Sequence, residues 1–143
     1  MADLKEIKDY IYENKSLVLS TVDEIGNPQL RHIGGYAIDG KDIVFSTGKN
    51  TNKTKEIAAN NNVALLFQHE GQPAPKNITL YGKAYQLDNA ESQDAAKLIK
   101  ERRPNLNFDP QINVIYRVEP ETIKILDFSA EEKQVVVAAA ELA

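Results

Sequence analysis

The chain has 143 residues, 42% hydrophobic and 27% charged, a length and apolar share that suit one domain, 1–143, with a core of its own. Seventeen Lys+Arg against 21 Asp+Glu leave a net charge of -4, the wrong sign for a general nucleic-acid binder, whose affinity comes mostly from phosphate neutralisation. The lack of cysteine excludes disulfides, thiolate zinc sites, iron–sulfur clusters and a cysteine nucleophile, and two histidines, His32 and His69, are too few for a histidine-rich metal site.

Leu4, Ile7, Lys8 and Ile11 follow helical spacing behind Asp3, a good N-cap. They predict a short amphipathic helix over 3–14, making 1–14 an N-terminal helical segment. Its acids stand where a secretory signal would be basic and then apolar. No apolar run nears the ~20 residues that span a bilayer, so the expectation is a soluble cytoplasmic protein that does not engage a membrane. Ser16 to Val22 reads as a strand closed by the turn cluster 23–28, and Gln29 to Ile38 as a second strand. Asp39-Gly40 signals a two-residue hairpin into a third strand, Lys41 to Thr47. Thr54 to Asn60 carries a helical pattern that Asn60-Asn61-Asn62 ends, because Asn tolerates the left-handed conformation.

Val63 to Gln68 is nearly all apolar, as a strand buried on both faces would be. The loop Glu70 to Pro75 leads to a long strand, Lys76 to Leu87, in which Gly82 eases a bend. Asn89 to Lys100 reads as a helix with Ala90, Ala95, Leu98 and Ile99 on one face. Ile112 to Glu119 and Thr122 to Phe128 are the last strands, parted at Pro120-Glu121. The tail 129–143 is a helix or a segment that packs on a partner subunit. Strands outnumber helices, which predicts a mainly β protein: a closed or nearly closed antiparallel barrel with short helices at its rim.

Two segments carry chemistry. From Ser46 to Lys55, lysines 49, 53 and 55 crowd the start of a helix near Thr51, where the dipole is positive and cations are unfavourable. A bound phosphate would relieve that conflict; a solvated basic loop is the plainer alternative. In Arg31-His32-Ile33-Gly34-Gly35-Tyr36, paired glycines within a strand mark a corner or the close approach of a ligand. Arg31 has a fork suited to phosphate, or pairs with a surface acid. His32 and His69 read first as half-buried packing residues, Tyr36 and Tyr81 as core or rim. Arg102-Arg103 complements a helix C-terminus.

In order and spacing these segments resemble the pyridoxamine 5′-phosphate oxidase-like family of FMN-binding split β-barrels, chiefly from Leu17 to Leu87. The resemblance rests on Leu19 to Pro28, Arg31-His32-Ile33-Gly34, Val44 to Gly48, Thr51-Asn52-Lys53, Asn60 to Leu65 and Gly82-Lys83-Ala84. It implies a split antiparallel β-barrel of FMN-binding type, and a homodimer whose two FMN sites lie at the subunit interface. The strand Arg31, His32, Ile33 and Gly34 would run along the flavin ring, with Arg31 reaching the phosphate. Ser46 and Thr47 match the next cofactor-contacting strand end. Thr51, Asn52 and Lys53 match a Ser-Arg-Lys phosphate clamp, with Asn52 where an Arg is common. Asn77 falls where a Gln commonly reaches flavin from the other subunit, or is only a polar residue at a strand entry. Residues 122–143 contain no Arg, Trp or Pro, unlike the segment by which strict oxidases hold pyridoxal phosphate. The implied function is an FMN-dependent oxidoreductase of the short, general-stress-protein type, reduced by a donor such as NADH or NADPH. A flavin-binding stress protein without turnover and a haem- or deazaflavin-binding relative are the alternatives.

Overall fold

The computed structural model describes residues 3–69 and 75–142, so most of the loop expected at 70–75 lies outside the described residues. Helix α1 (Leu4–Glu13) starts where expected. The Asp3 carboxylate accepts the Glu6 N–H at 2.8 Å and caps it. Four strands follow: β1 (Leu17–Val22), β2 (Pro28–Ile33), β3 (Tyr36–Asp39) and β4 (Asp42–Gly48). Then come α2 (Asn52–Ala59), β5 (Asn62–Phe67), β6 (Lys76–Gln86), α3 (Asn89–Arg102), β7 (Asn113–Asp127), β8 (Gln134–Ala138) and a 3-10 turn, Ala139–Glu141.

The strands pair antiparallel in the order β2-β1-β5-β6-β7-β4-β3. The two ends of that path, β2 and β3, are consecutive in sequence and joined only by Gly34-Gly35. A link that short forces the sheet to curl until its ends meet, which makes a split barrel. The seam is tied where the Ser46 N–H donates to the Gly35 carbonyl at 2.8 Å. Inside the curl lie Leu17, Leu19, Tyr36, Phe45, Leu65, Phe67, Ile78 and Leu80, all essentially inaccessible. Alpha-1 adds Ile7, Tyr10 and Ile11 to this core, and α2 adds Ile57. A second cluster packs α3, through Ala95 and Ile99, onto Ala37, Val44 and Ile115. None of the described helices is long and apolar enough to cross a membrane.

Six expectations change. The strand expected over Gln29–Ile38 is two strands, because Gly34-Gly35 is the barrel corner. Beta-5 is not buried on both faces: Val63, Leu65 and Phe67 are buried and Ala64 and Leu66 only half so, since one face alone meets the core. Asn60 ends α2 with extended backbone, while Asn50, just before the helix, has a φ of 56°. Ala90 is exposed, and Ser92 takes its place in the buried stripe of α3. The break expected at Pro120-Glu121 is a bulge within one continuous strand: Tyr81 faces Thr122 and Gly82 faces Pro120, which leaves Glu121 unpaired. Proline fits there because it has no N–H to give to a ladder. A Cβ on Gly82 would stand 2.2 Å from the Glu119 carbonyl oxygen, so that approach requires glycine.

The tail, finally, is not a helix. Val135, Val136 and Val137 alternate half-buried, exposed, half-buried as β8 on the distal part of β7, and Ala139 and Leu142 bury themselves in the core. Lys41 Nζ holds this end by donating to the Ala139 and Leu142 carbonyls.

Candidate functional site

The start of α2 is built without the usual protection. Thr51 is the N-cap residue, yet no side chain caps the helix and its first turn holds no acid. The Thr51 hydroxyl instead donates to the Gly48 carbonyl at 3.3 Å and accepts from Lys53 Nζ at 3.5 Å. The unpaired N–H groups of the first turn and the positive end of the dipole therefore stand open to an anion.

Arg31 projects from the inner face of β2 toward the same place. Its Nη1 donates to Thr21 Oγ1 at 2.6 Å and its Nη2 to Glu56 Oε1 at 3.0 Å. The Thr21 hydroxyl donates to the same Glu56 oxygen at 2.7 Å. The Arg31 and Glu56 side chains are 23% and 12% exposed, so this ion pair is largely shielded from water. Arg31 thus does pair with an acid, one on the very helix whose N-terminus carries Lys53. Burial pushes the Lys53 ammonium below its ordinary pKa of 10.5, and the Arg31 charge adds to that, opposed by Glu56. Arg31 takes the Glu56 carboxylate, Lys53 adds a second cation nearby without a carboxylate of its own, and the excess charge is positive.

The remaining candidates separate by position. Asn52 and Lys55 line a cleft with Asp23, Glu24 and Glu56 rather than joining Lys53. Asp23 there is tied up by the turn it holds: backbone N–H groups of Asn27 and Ile25 and the Gln29 amide keep its carboxyl below the usual range. Ile33 is in the core, and Thr47 is buried while Ser46 is half-buried beside Gly35. His32 is exposed rather than half-buried, with its Nδ1 3.5 Å from Ser16 Oγ. The register explains why: His32, Val18, Leu66 and Thr79 lie in one row across the outer face of the sheet. Asn77, two residues before Thr79, shares that outer face, so the sheet separates it from Lys53 of the same chain. His69 packs edge-on against Tyr10, with its Nε2 3.1 Å from the Tyr10 carbonyl oxygen.

Four residues have roles the sequence did not disclose. Thr21 and Glu56 organise Arg31; the signal available was a hydroxyl at an inward position of β1 and the first acid of α2. At the corner, the Arg102 guanidinium lies 3.8 Å from the Tyr36 ring centroid and donates to the carbonyls of Tyr12, Gly34 and Tyr36. It pins the end of α3 to Gly34, beyond any dipole effect. Burial raises the Tyr36 hydroxyl to about 12, so this core group stays neutral. Arg103, the fourth, lies against Gly34: a Cβ there would be 3.1 Å from its Nη2.

With this geometry in hand, the comparisons with known proteins become specific. A family model described as Pyridoxamine 5′-phosphate oxidase matches residues 4–127. The chain belongs to the pyridoxamine 5′-phosphate oxidase family. The pyridoxine/pyridoxamine 5′-phosphate oxidase of Rippkaea orientalis is 34% identical over 82 residues, which is 57% of this chain and 38% of that one. The match therefore spans well under half of the curated relative. Among family structures, a protein related to general stress protein 26 from Clostridium acetobutylicum superposes with a TM-score of 0.77 at 19% identity, covering 98% of this chain and 96% of that one. A heme binding protein from Mycobacterium smegmatis superposes with a TM-score of 0.76 at 13% identity, covering 98% and 60%. At such identities these two show the shared fold.

Proposed function

We propose that the chain is an FMN-binding flavoprotein acting as an oxidoreductase, in a homodimer whose sites draw on both copies. The observation that carries this reading is the Lys53 ammonium held beside the Arg31 guanidinium at the uncapped start of α2. A phosphate there would satisfy the open N–H groups, the excess positive charge and the depressed amine together. The residues fit the phosphate of FMN. Lys53, Arg31 and Thr51 hold it, and Asn52 contributes its backbone rather than its side chain. Residues Arg31 to Gly34 with Ser46 and Thr47 border the ring. When bound, flavin supplies the hydride and electron chemistry; the chain supplies position and charge.

The outer face supports the second copy. Leu30 is 70% exposed and Tyr81 40%, with Val18, Ala64 and Leu66 between them only half-buried, a patch of the kind that marks an interface. A two-fold axis would also carry Asn77 of one chain toward the Lys53 site of the other, which a single chain cannot do. NADH or NADPH as electron donor and a cytoplasmic setting complete the proposal and rest on the sequence reading.

Reduction of bound flavin by NADH or NADPH, followed by reoxidation by an acceptor, tests turnover. Flavin that binds but is not reduced supports the carrier reading instead. The Mycobacterium smegmatis neighbour favours haem as a second reading, and a Soret band would support it.

A further inference from the structure

At the end of α2 away from Lys53 lies a cleft of about 500 Å³, within the ~300–1,000 Å³ of small-molecule sites. The helix end, residues 57–61, lines it together with Ala84, Tyr85 and Gln86 of β6 and Tyr116 of β7. The Asn60 N–H closes the helix on the Glu56 carbonyl, and Asn60 then leaves with extended backbone. Among the described residues no donor takes the carbonyls of Ile57, Ala58 and Ala59. Such carbonyls can only accept, and they form the negative end of the dipole. A Lys or Arg in the last turn often answers both, but α2 has no basic residue there.

Tyr116 enters the same cleft from the core. It is 3% exposed, and its ring stacks on Phe45 with centroids 5.4 Å apart. Burial alone raises its hydroxyl above the ordinary 10.0, with no hydrogen bond or charge contributing, so the group is neutral and unpaired. Among the described residues only Asn14 has side-chain polar atoms both unpaired and shut off from water. The Tyr116 hydroxyl therefore keeps an opening, and the cleft that Tyr116 lines is that opening.

An anion here would meet the negative helix end. No charged residue lines the cleft, so nothing replaces the hydration that a metal ion or a compact ammonium would shed. A quaternary ammonium sheds less, and it packs well against carbonyl oxygens and an aromatic face. The Tyr85 ring, partly open to solvent, supplies such a face at the cleft. We infer that this cleft binds a small quaternary-ammonium alcohol of the choline type, its cation against the α2 carbonyls and Tyr85 and its hydroxyl paired with Tyr116. The site is separate from the proposed flavin site, and neither needs the other.

The test is an NMR titration of the full chain with three probes. Choline carries both groups, the dimethylbutanol that is its carbon isostere lacks the charge, and tetramethylammonium lacks the hydroxyl. Saturable shifts for choline at the Ala58, Asn61 and Tyr85 amides are expected, with the neutral alcohol at least about tenfold weaker. Tyr116→Phe keeps the ring stack, and should weaken choline about threefold to tenfold while leaving tetramethylammonium unchanged. Tyr85→Leu, at an exposed position, should weaken both cations about threefold or more. Pelleting with phosphatidylcholine vesicles would assign the group to a lipid headgroup, and choline binding without pelleting would assign it to a free solute. Absence of saturable choline binding, the neutral alcohol binding as tightly as choline, or indifference to Tyr85→Leu would overturn the proposal. Equal losses of both cations in Tyr116→Phe, or no loss of either, would overturn the pairing with Tyr116.

Discussion

Replacing Lys53 with alanine should separate cofactor binding from folding. In the free chain Lys53 makes no ion pair among the described residues, because Glu56 Oε1 is occupied by Arg31 and Thr21. Its ammonium is instead penalised by burial and by Arg31. Removing it therefore loses little from the fold, within ~0.5 kcal/mol, and relieves some repulsion. With phosphate present the same amine would make a charge-assisted contact worth about 1.5–3 kcal/mol, so FMN affinity should fall roughly tenfold to a hundredfold. Fluorescence titration with FMN and with riboflavin, which has no phosphate, reads the difference, and urea unfolding reads stability. Lys53→Ala should weaken FMN and leave riboflavin and the urea midpoint nearly unchanged. Equal losses for the two flavins would refute the phosphate role, and a large drop in the midpoint would refute the account of the free chain.

The pH dependence follows from the same amine. Its folded pKa lies below 10.5, so between the two values the unfolded chain binds more protons and the stability of flavin-free protein rises with pH. FMN affinity should fall across that window as the ammonium is lost, and Lys53→Met should flatten both trends in urea and fluorescence titrations. Gly82→Ala should destabilise by about 1–3 kcal/mol or more, since its Cβ would strike the Glu119 carbonyl; the urea midpoint checks it. Leu30→Asp should keep the fold, because the residue is 70% exposed, and weaken the proposed dimer at least about tenfold in sedimentation equilibrium. An unchanged dimer would move the interface off this face.

Much of the fold was legible because local chemistry and tertiary structure agree. Asp3 caps α1 as its position suggested, and the turns after Val22 and Asp39 fall where the polar clusters stand. Where readings failed, a distant partner decided. Pro120 looked like a strand end, and only Gly82 across the ladder lets the chain pass through it as a bulge. The tail 129–143 read as a helix or a segment packed on a partner subunit, and only β7 gives Val135 to Val137 a strand to pair with. In the site, Lys53 and Arg31 were visible as cations in a suggestive order. The carboxylate between them was not, because Glu56 and Thr21 meet Arg31 only when α2 folds over β1. His32 and Asn77 could not be placed from sequence either. Strand alternation fixes which face each occupies only once the register is known.

The most direct test of the central claim is the absorption spectrum of the protein purified from its expressing cells, together with the mass of the small molecule released on denaturation. The account predicts a yellow protein with flavin bands and a released species with the mass of FMN, close to one per chain. A Soret band, or a colourless protein that fails to take up added FMN, would contradict it.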